Sequence, residues 1–182
     1  MKKSKNKRLE LISKEPMSNH LIEKYLDNRA NIKAVCDLDN YNDLDDIFEG
    51  EDHIILLIEH TKKNNGHWVC MFKNPTGIYY HNSYGKNILE ELKDANYRKF
   101  QSDHLLDLVN QSNKDIYYND VPYQSNDFSI ATCGRHALLP VVLNKLIPNF
   151  TLKEYHKIMR EAKKKYNMDY DKIVSHLIDK IR

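Results

Sequence analysis

His67-Trp68-Val69-Cys70-Met71-Phe72-Lys73-Asn74-Pro75-Thr76-Gly77-Ile78-Tyr79-Tyr80-His81-Asn82-Ser83-Tyr84 is the stretch that decides the architecture. Two runs rich in aromatic and β-branched residues flank Asn74-Pro75-Thr76-Gly77, whose Pro and Gly favour a tight reversal, so strands are expected over 67–73 and 78–84 as a hairpin. A four-residue loop pairs Lys73 with Ile78 and, counting outward, Val69 with Asn82. Side chains alternate faces along a strand, so His67, Val69 and Asn82 share one face, and His67 and Asn82 become diagonal neighbours. An amide so placed can orient an imidazole.

Just before the hairpin, the continuous apolar run 54–58 suits a strand covered on both faces and is expected to be the central one. Earlier in the chain, Ser18 caps a helix whose apolar face is Leu21, Ile22, Tyr25 and Leu26. The acidic, irregular segment 31–50, with one helical turn at Leu44, Ile47 and Phe48, is expected to border a cleft. After the hairpin come helices over 87–97 and 103–109 and a strand over Ile116–Tyr118. A polar loop over 124–132 then leads to a buried helix over Cys133–Leu146, which Pro140 should kink or interrupt. Thr151 and Glu154 have capping-box spacing, and Ile173, Leu177, Ile178 and Ile181 stripe a last helix. Few strands among many helices predict an α+β domain, a small central mixed sheet surrounded by helices. That class by itself assigns no function.

A chain of 182 residues suffices for one compact domain, read as 1–182. With 28 basic and 26 acidic side chains, net charge implies no general affinity for nucleic acid or membranes. Basic residues do crowd the start (Lys2, Lys3, Lys5, Lys7, Arg8), where 1–15 is expected as a solvated segment, and Lys163, Lys164 and Lys165. Three cysteines make no disulfide framework and fit a reducing compartment. No apolar run approaches the ~20 residues of a membrane span or forms a signal peptide, so an intracellular, non-secreted protein is expected. No motif calls for a cofactor.

A thiol hydrolase needs one imidazole nitrogen held by a carboxylate or amide and the other free to take the nucleophile's proton. His67 and Asn82 satisfy this if the register holds. Cys133 opens the proposed helix, close to unpaired N–H groups that stabilise a thiolate, and Gly134 leaves room for a substrate backbone. Oxyanion donors are the amide of Cys133 and the side chain of Gln124.

The wording of these motifs, Gly66-His67-Trp68, Tyr80-His81-Asn82-Ser83-Tyr84-Gly85, Gln124-Ser125-Asn126 and Thr132-Cys133-Gly134-Arg135-His136, resembles the adenain and SUMO-protease superfamily over about residues 50–147. Within it the chain is most similar to capsid-maturation proteases of virophages and polinton-like elements. The resemblance implies a papain-like, adenain-like cysteine protease fold with His67, Asn82, Gln124 and Cys133 as site residues. It further implies cleavage of capsid or core precursor polypeptides after glycine, DNA or a peptide as a possible activator, and a place in the host cytoplasm and the virion. Two departures stand out: Asn82 where the family usually has an acid, and eight residues between Gln124 and Cys133, which leaves Asn126 as another oxyanion donor.

Three other readings compete. The same site would serve a deconjugase for a ubiquitin-like modifier. An acyltransferase would share the catalytic roles, and a binding module would retain a decayed site. His67-x-x-Cys70 with Cys133-x-x-His136 imitates zinc spacing, but residues 67 and 70 of a regular strand point to opposite faces, so no metal is assigned. Cys36 and Cys70 are read as structural, and Arg135 and His136 receive no catalytic role.

Overall fold

The computed structural model describes residues 2–27, 29–62, 65–94, 103–127 and 129–181, with side chains from residue 7 onward except at 61, 62 and 94. Its sheet takes its strands in chain order: β1 (Ile32–Ala34), β2 (His53–Lys62), β3 (Asn65–Asn74), β4 (Gly77–His81) and β5 (Ile116–Tyr118). The inner pairs β2–β3 and β3–β4 are antiparallel, and the outer pairs β1–β2 and β4–β5 are parallel. Around it lie α1 (Lys2–Lys14), α2 (Asn19–Tyr25), α3 (Ile88–Asp94), α4 (His104–Gln111), α5 (Cys133–Leu146), α6 (Leu152–Tyr166) and α7 (Tyr170–Ile181). The expected α+β class, a mixed sheet among helices, is the observed one. Parts of two expected segments, 95–97 at the end of the first helix and Phe128 within the polar loop, lie outside the described residues.

The hairpin keeps the register obtained by counting, with Lys73 opposite Ile78, but Asn74 and Gly77 also pair, so only Pro75 and Thr76 form the loop. Asn74 Oδ1 accepts from the Thr76 N–H at 2.9 Å and from its hydroxyl at 2.6 Å, which stabilises the tighter turn. β4 ends at His81 rather than continuing to Tyr84. There the Asn119 side chain takes the place of a strand partner: its Oδ1 accepts from the Asn82 N–H at 2.7 Å and its Nδ2 donates to the Asn82 carbonyl at 2.8 Å. Both backbone groups are satisfied without further ladder.

The central strand is β3, not β2, because β1 pairs beyond β2. Three residues are too few for a period, so the acidic pattern of 31–50 concealed that strand. The same segment supplies part of the core. Val35, Leu38, Leu44, Ile47 and Phe48 are buried against one face of the sheet, beside Leu56, Ile58, Val69, Met71 and Tyr80, with Ile88 and Leu105 of α3 and α4. The other face carries Ile55, Leu57, Trp68, Cys70, Phe72 and Tyr79 under α2, α5, α6 and α7. Each fully buried aliphatic or aromatic side chain here contributes about 1.5–3 kcal/mol.

α5 is not interrupted at Pro140. The N–H that proline lacks would have bonded the carbonyl of His136, and burial of every residue over 134–142 outweighs that one bond. The basic start also differs from the expected solvated segment: it is helical, Leu9 and Ser13 are buried, and Arg8 pairs with Asp179 of α7 at 2.8 Å. Among the described residues no helix is long and apolar enough to cross a membrane.

Candidate active site

His67 sits near the start of β3 and Asn82 just beyond β4, and their side chains meet as the diagonal register requires: Nε2 lies 3.0 Å from Oδ1, with both residues buried. The amide's orientation follows from its other partners. Asn82 Nδ2 donates to Glu91 Oε2 at 2.8 Å, so Oδ1 faces the ring, where it also accepts from the Tyr84 N–H at 2.9 Å. An acceptor opposite Nε2 places the imidazole proton there and leaves the lone pair on Nδ1. Glu91 Oε1 in turn lies 3.3 Å from His60 Nε2. A carboxylate from α3 thus stands behind the amide that holds His67.

Burial works to raise the pKa of Glu91, but the His60 hydrogen bond, the His67 charge, the Asn82 amide and Lys86 outweigh it and hold it at about 2. Burial lowers His67 to about 4, against the opposing pull of Glu91 and Asn82. Tyr84 closes over the imidazole, its ring stacked with the centroids 4.6 Å apart and the planes 26° from parallel.

Cys133 is the first residue of α5. Burial raises its thiol pKa, while backbone hydrogen bonds from Trp68, Gly134 and Cys133 itself and the charge of Arg135 pull the other way without prevailing. Trp68 adjoins His67 in the chain, and Tyr84, which covers His67, is raised to about 12 first by burial and then by the charge of Cys133. Those two neighbours bring thiol and imidazole to the same end of the sheet. Among the described residues no hydrogen bond joins them, and at neutral pH both are uncharged.

Gly134 does not leave space for a substrate backbone. A Cβ there would lie 2.8 Å from Met17 Cβ and 3.5 Å from Trp68 Cδ1, so the protein's own packing requires the glycine.

Gln124 is buried and doubly tied to Ser83: its Oε1 accepts from the Ser83 hydroxyl at 2.8 Å, and its N–H and that of Tyr123 donate to the Ser83 carbonyl at 2.9 and 2.7 Å. With Oε1 so engaged, Nε2 is the donor end left to the site. Asn126, the other oxyanion candidate, is exposed.

The residues read as structural have ordinary surroundings. Cys70 is buried on the face opposite His67, as strand parity requires. Cys36 Sγ donates to Glu59 Oε2 at 3.0 Å, and its pKa rises to about 12, first through burial. Arg135 Nη1 donates to the Glu15 carbonyl at 2.6 Å. Among the described residues, the grouping of His, Cys, Asp or Glu donors within 4.8 Å of one another is Glu51, Asp52 and His53, which includes none of the site residues.

Sequence reasoning brought together His67, Asn82, Gln124 and Cys133 but missed Glu91, Ser83, Tyr84 and Asn119. Ser83 and Tyr84 lay inside the quoted motif. Glu91 reads as an ordinary helix-surface acid, and only the packing of α3 buries it.

Fold and site together define a mixed-sheet α+β domain that holds a histidine–amide–carboxylate chain at the end of the sheet where a helix begins with a thiol. No family model matches the chain. It is 32% identical over 176 residues to "Uncharacterized protein V9" of Sputnik virophage, covering 93% of its own length and 97% of that protein. At this identity and coverage the chain belongs to the family of that virophage protein, and the virophage side of the resemblance stands on this relationship.

Proposed function

We propose that the chain is a cysteine endopeptidase that cleaves viral capsid or core precursor polypeptides after glycine during virion maturation, in the host cytoplasm and the assembling virion. The observation that carries this is the hydrogen-bond chain Glu91–Asn82–His67, which leaves Nδ1 as a base at the end of the sheet where Cys133 opens α5. On attack, the sulfur bonds to the carbonyl carbon as the thiol proton passes to Nδ1, and the oxyanion is received by the Cys133 N–H and Gln124 Nε2. The C–N bond breaks as the imidazolium gives its proton to the departing amine, leaving a thioester. Water then attacks with His67 taking its proton, and the thiol is restored. Because the resting pair is neutral, proton transfer accompanies attack.

One observation favours a second reading, a binding module with a decayed site: burial moves both His67 and Cys133 away from an ion pair. The deciding test incubates precursor polypeptides of the same virus with wild type, Cys133→Ala and His67→Ala and maps new N-termini by mass spectrometry. Cleavage after glycine by wild type alone supports the protease. Cleavage that persists in Cys133→Ala removes the nucleophile assignment, and intact precursors throughout leave the binding module.

A further inference from the structure

Asp171 lies on α7, in a region that carries none of the motifs, yet its buried carboxylate reaches both ends of the segment between Gln124 and Cys133. Oδ2 accepts from the N–H of Ser125, the residue after Gln124, at 3.0 Å. Oδ1 accepts from the hydroxyl of Thr132, the residue before Cys133. His136 Nε2, one turn into α5, lies 3.5 Å from the same Oδ1, and the Ser175 hydroxyl bonds the Asp171 carbonyl at 2.8 Å. Burial works to raise the Asp171 pKa, but His136, Thr132 and Ser125 outweigh it and keep the pKa below the usual range, so the group stays a carboxylate and accepts from all sides.

Thr132 also occupies the N-cap position of α5 and makes no side-chain capping bond. A threonine there ordinarily gives its oxygen to a free N–H of the first turn. Here the hydroxyl is turned to Asp171 instead.

We propose that Asp171 is a positioning residue that sets the oxyanion site, one carboxylate fastening the residue after Gln124 and the residue before Cys133 so that the two oxyanion donors keep a fixed separation. This rests on the cysteine-hydrolase reading of the site. The role is distinct from activating the thiol, since Asp171 touches neither Cys133 nor His67 among the described contacts.

The distinction supplies the test. A dipeptide aldehyde ending in glycinal adds reversibly to a thiol: the S–C bond forms, the thiol proton ends on the former carbonyl oxygen, and that oxygen sits where the oxyanion would. Iodoacetamide alkylates the same sulfur without using the oxyanion donors. Full-length wild type, Asp171→Asn, Thr132→Val and Thr132→Ser are compared for aldehyde affinity and for alkylation rate at Cys133, resolved from Cys36 and Cys70 by mass spectrometry. Asp171→Asn and Thr132→Val are expected to weaken the aldehyde by about tenfold or more, in line with the loss of one aligned oxyanion donor. Their alkylation rates should change less than about threefold on the same grounds, and Thr132→Ser, which keeps the hydroxyl, should match wild type.

If both reactions fall together, Asp171 only holds the fold, and if neither falls it holds nothing the site needs. Either result overturns the proposal. Should Asp171→Asn fail to fold by circular dichroism, the Thr132→Val and Thr132→Ser pair decides in the same way. If wild type itself forms no aldehyde adduct, the hydrolase reading fails and takes the clamp with it, whereas an adduct in wild type that Asp171→Asn matches removes the clamp alone.

Discussion

His67 is buried as a neutral imidazole, and this has a consequence for pH. Its folded pKa of about 4 lies below the ordinary 6.5, so between these values the unfolded chain binds the proton more readily. The stability this residue provides is complete above pH 6.5 and is lost as pH falls toward 4, by on the order of 3 kcal/mol. His81 and His136, also lowered chiefly by burial, act in the same direction. His67→Gln is therefore expected to flatten part of the pH dependence of urea unfolding between pH 7 and 4.5, and an unchanged slope would show that the imidazole is not buried neutral. The same depression predicts an acid limb of kcat/KM near pH 4, where an exposed histidine would give one near 6.5. Glu91→Gln keeps an acceptor for Asn82 but loses the charge that favours the imidazolium. We expect kcat to fall about tenfold and the His67 pKa, followed by NMR, to drop further. A variant with wild-type kcat and pKa would show that the carboxylate plays no part.

Among the elements, the β2–β3 pairing carries His67, and its geometry depends on one close approach. The register of the two strands shifts between Glu59 and Lys62, and at Gly66 an added Cβ would lie 1.9 Å from the Ile58 carbonyl oxygen. Gly66→Ala must push the strands apart next to His67. A loss of more than about 2 kcal/mol is expected, read as a lower urea midpoint, together with loss of cleavage. A midpoint equal to wild type would mean that the approach relaxes at no cost. β4 shows the converse. Its end at His81 depends on a side chain, Asn119, which releases Asn82 from the ladder and lets it turn its amide between His67 and Glu91.

At the scale of the whole molecule, helices from the two ends of the chain hold the segment that precedes Cys133. The Ser13 carbonyl at the end of α1 accepts from the Ala131 N–H at 2.8 Å, Met17 fills the space beside Gly134, and Asp171 of α7 binds Ser125 and Thr132. Leu9 is buried where α1 lies against α7. Leu9→Ala should cost about 2–4 kcal/mol and speed amide exchange at Ala131. Slow exchange at Ala131 in a destabilised variant would uncouple α1 from the site. Legibility in the sequence follows the range of the interactions. The hairpin register, the caps of α2 and α6, the α+β class and the meeting of His67 with Asn82 were readable, because turn chemistry, capping and strand alternation act over a few residues. The three-residue β1, the uninterrupted α5 and the core role of 31–50 were not, since short strands lack a period and burial overrides local preference. What the sequence by itself determined is therefore the local geometry that brings an imidazole to an amide and a thiol to a helix start. Only the tertiary structure decided that Glu91 stands behind that amide, that imidazole and thiol rest neutral, and that Asp171 spans the loop, because burial and contacts between distant segments set charge states and partners.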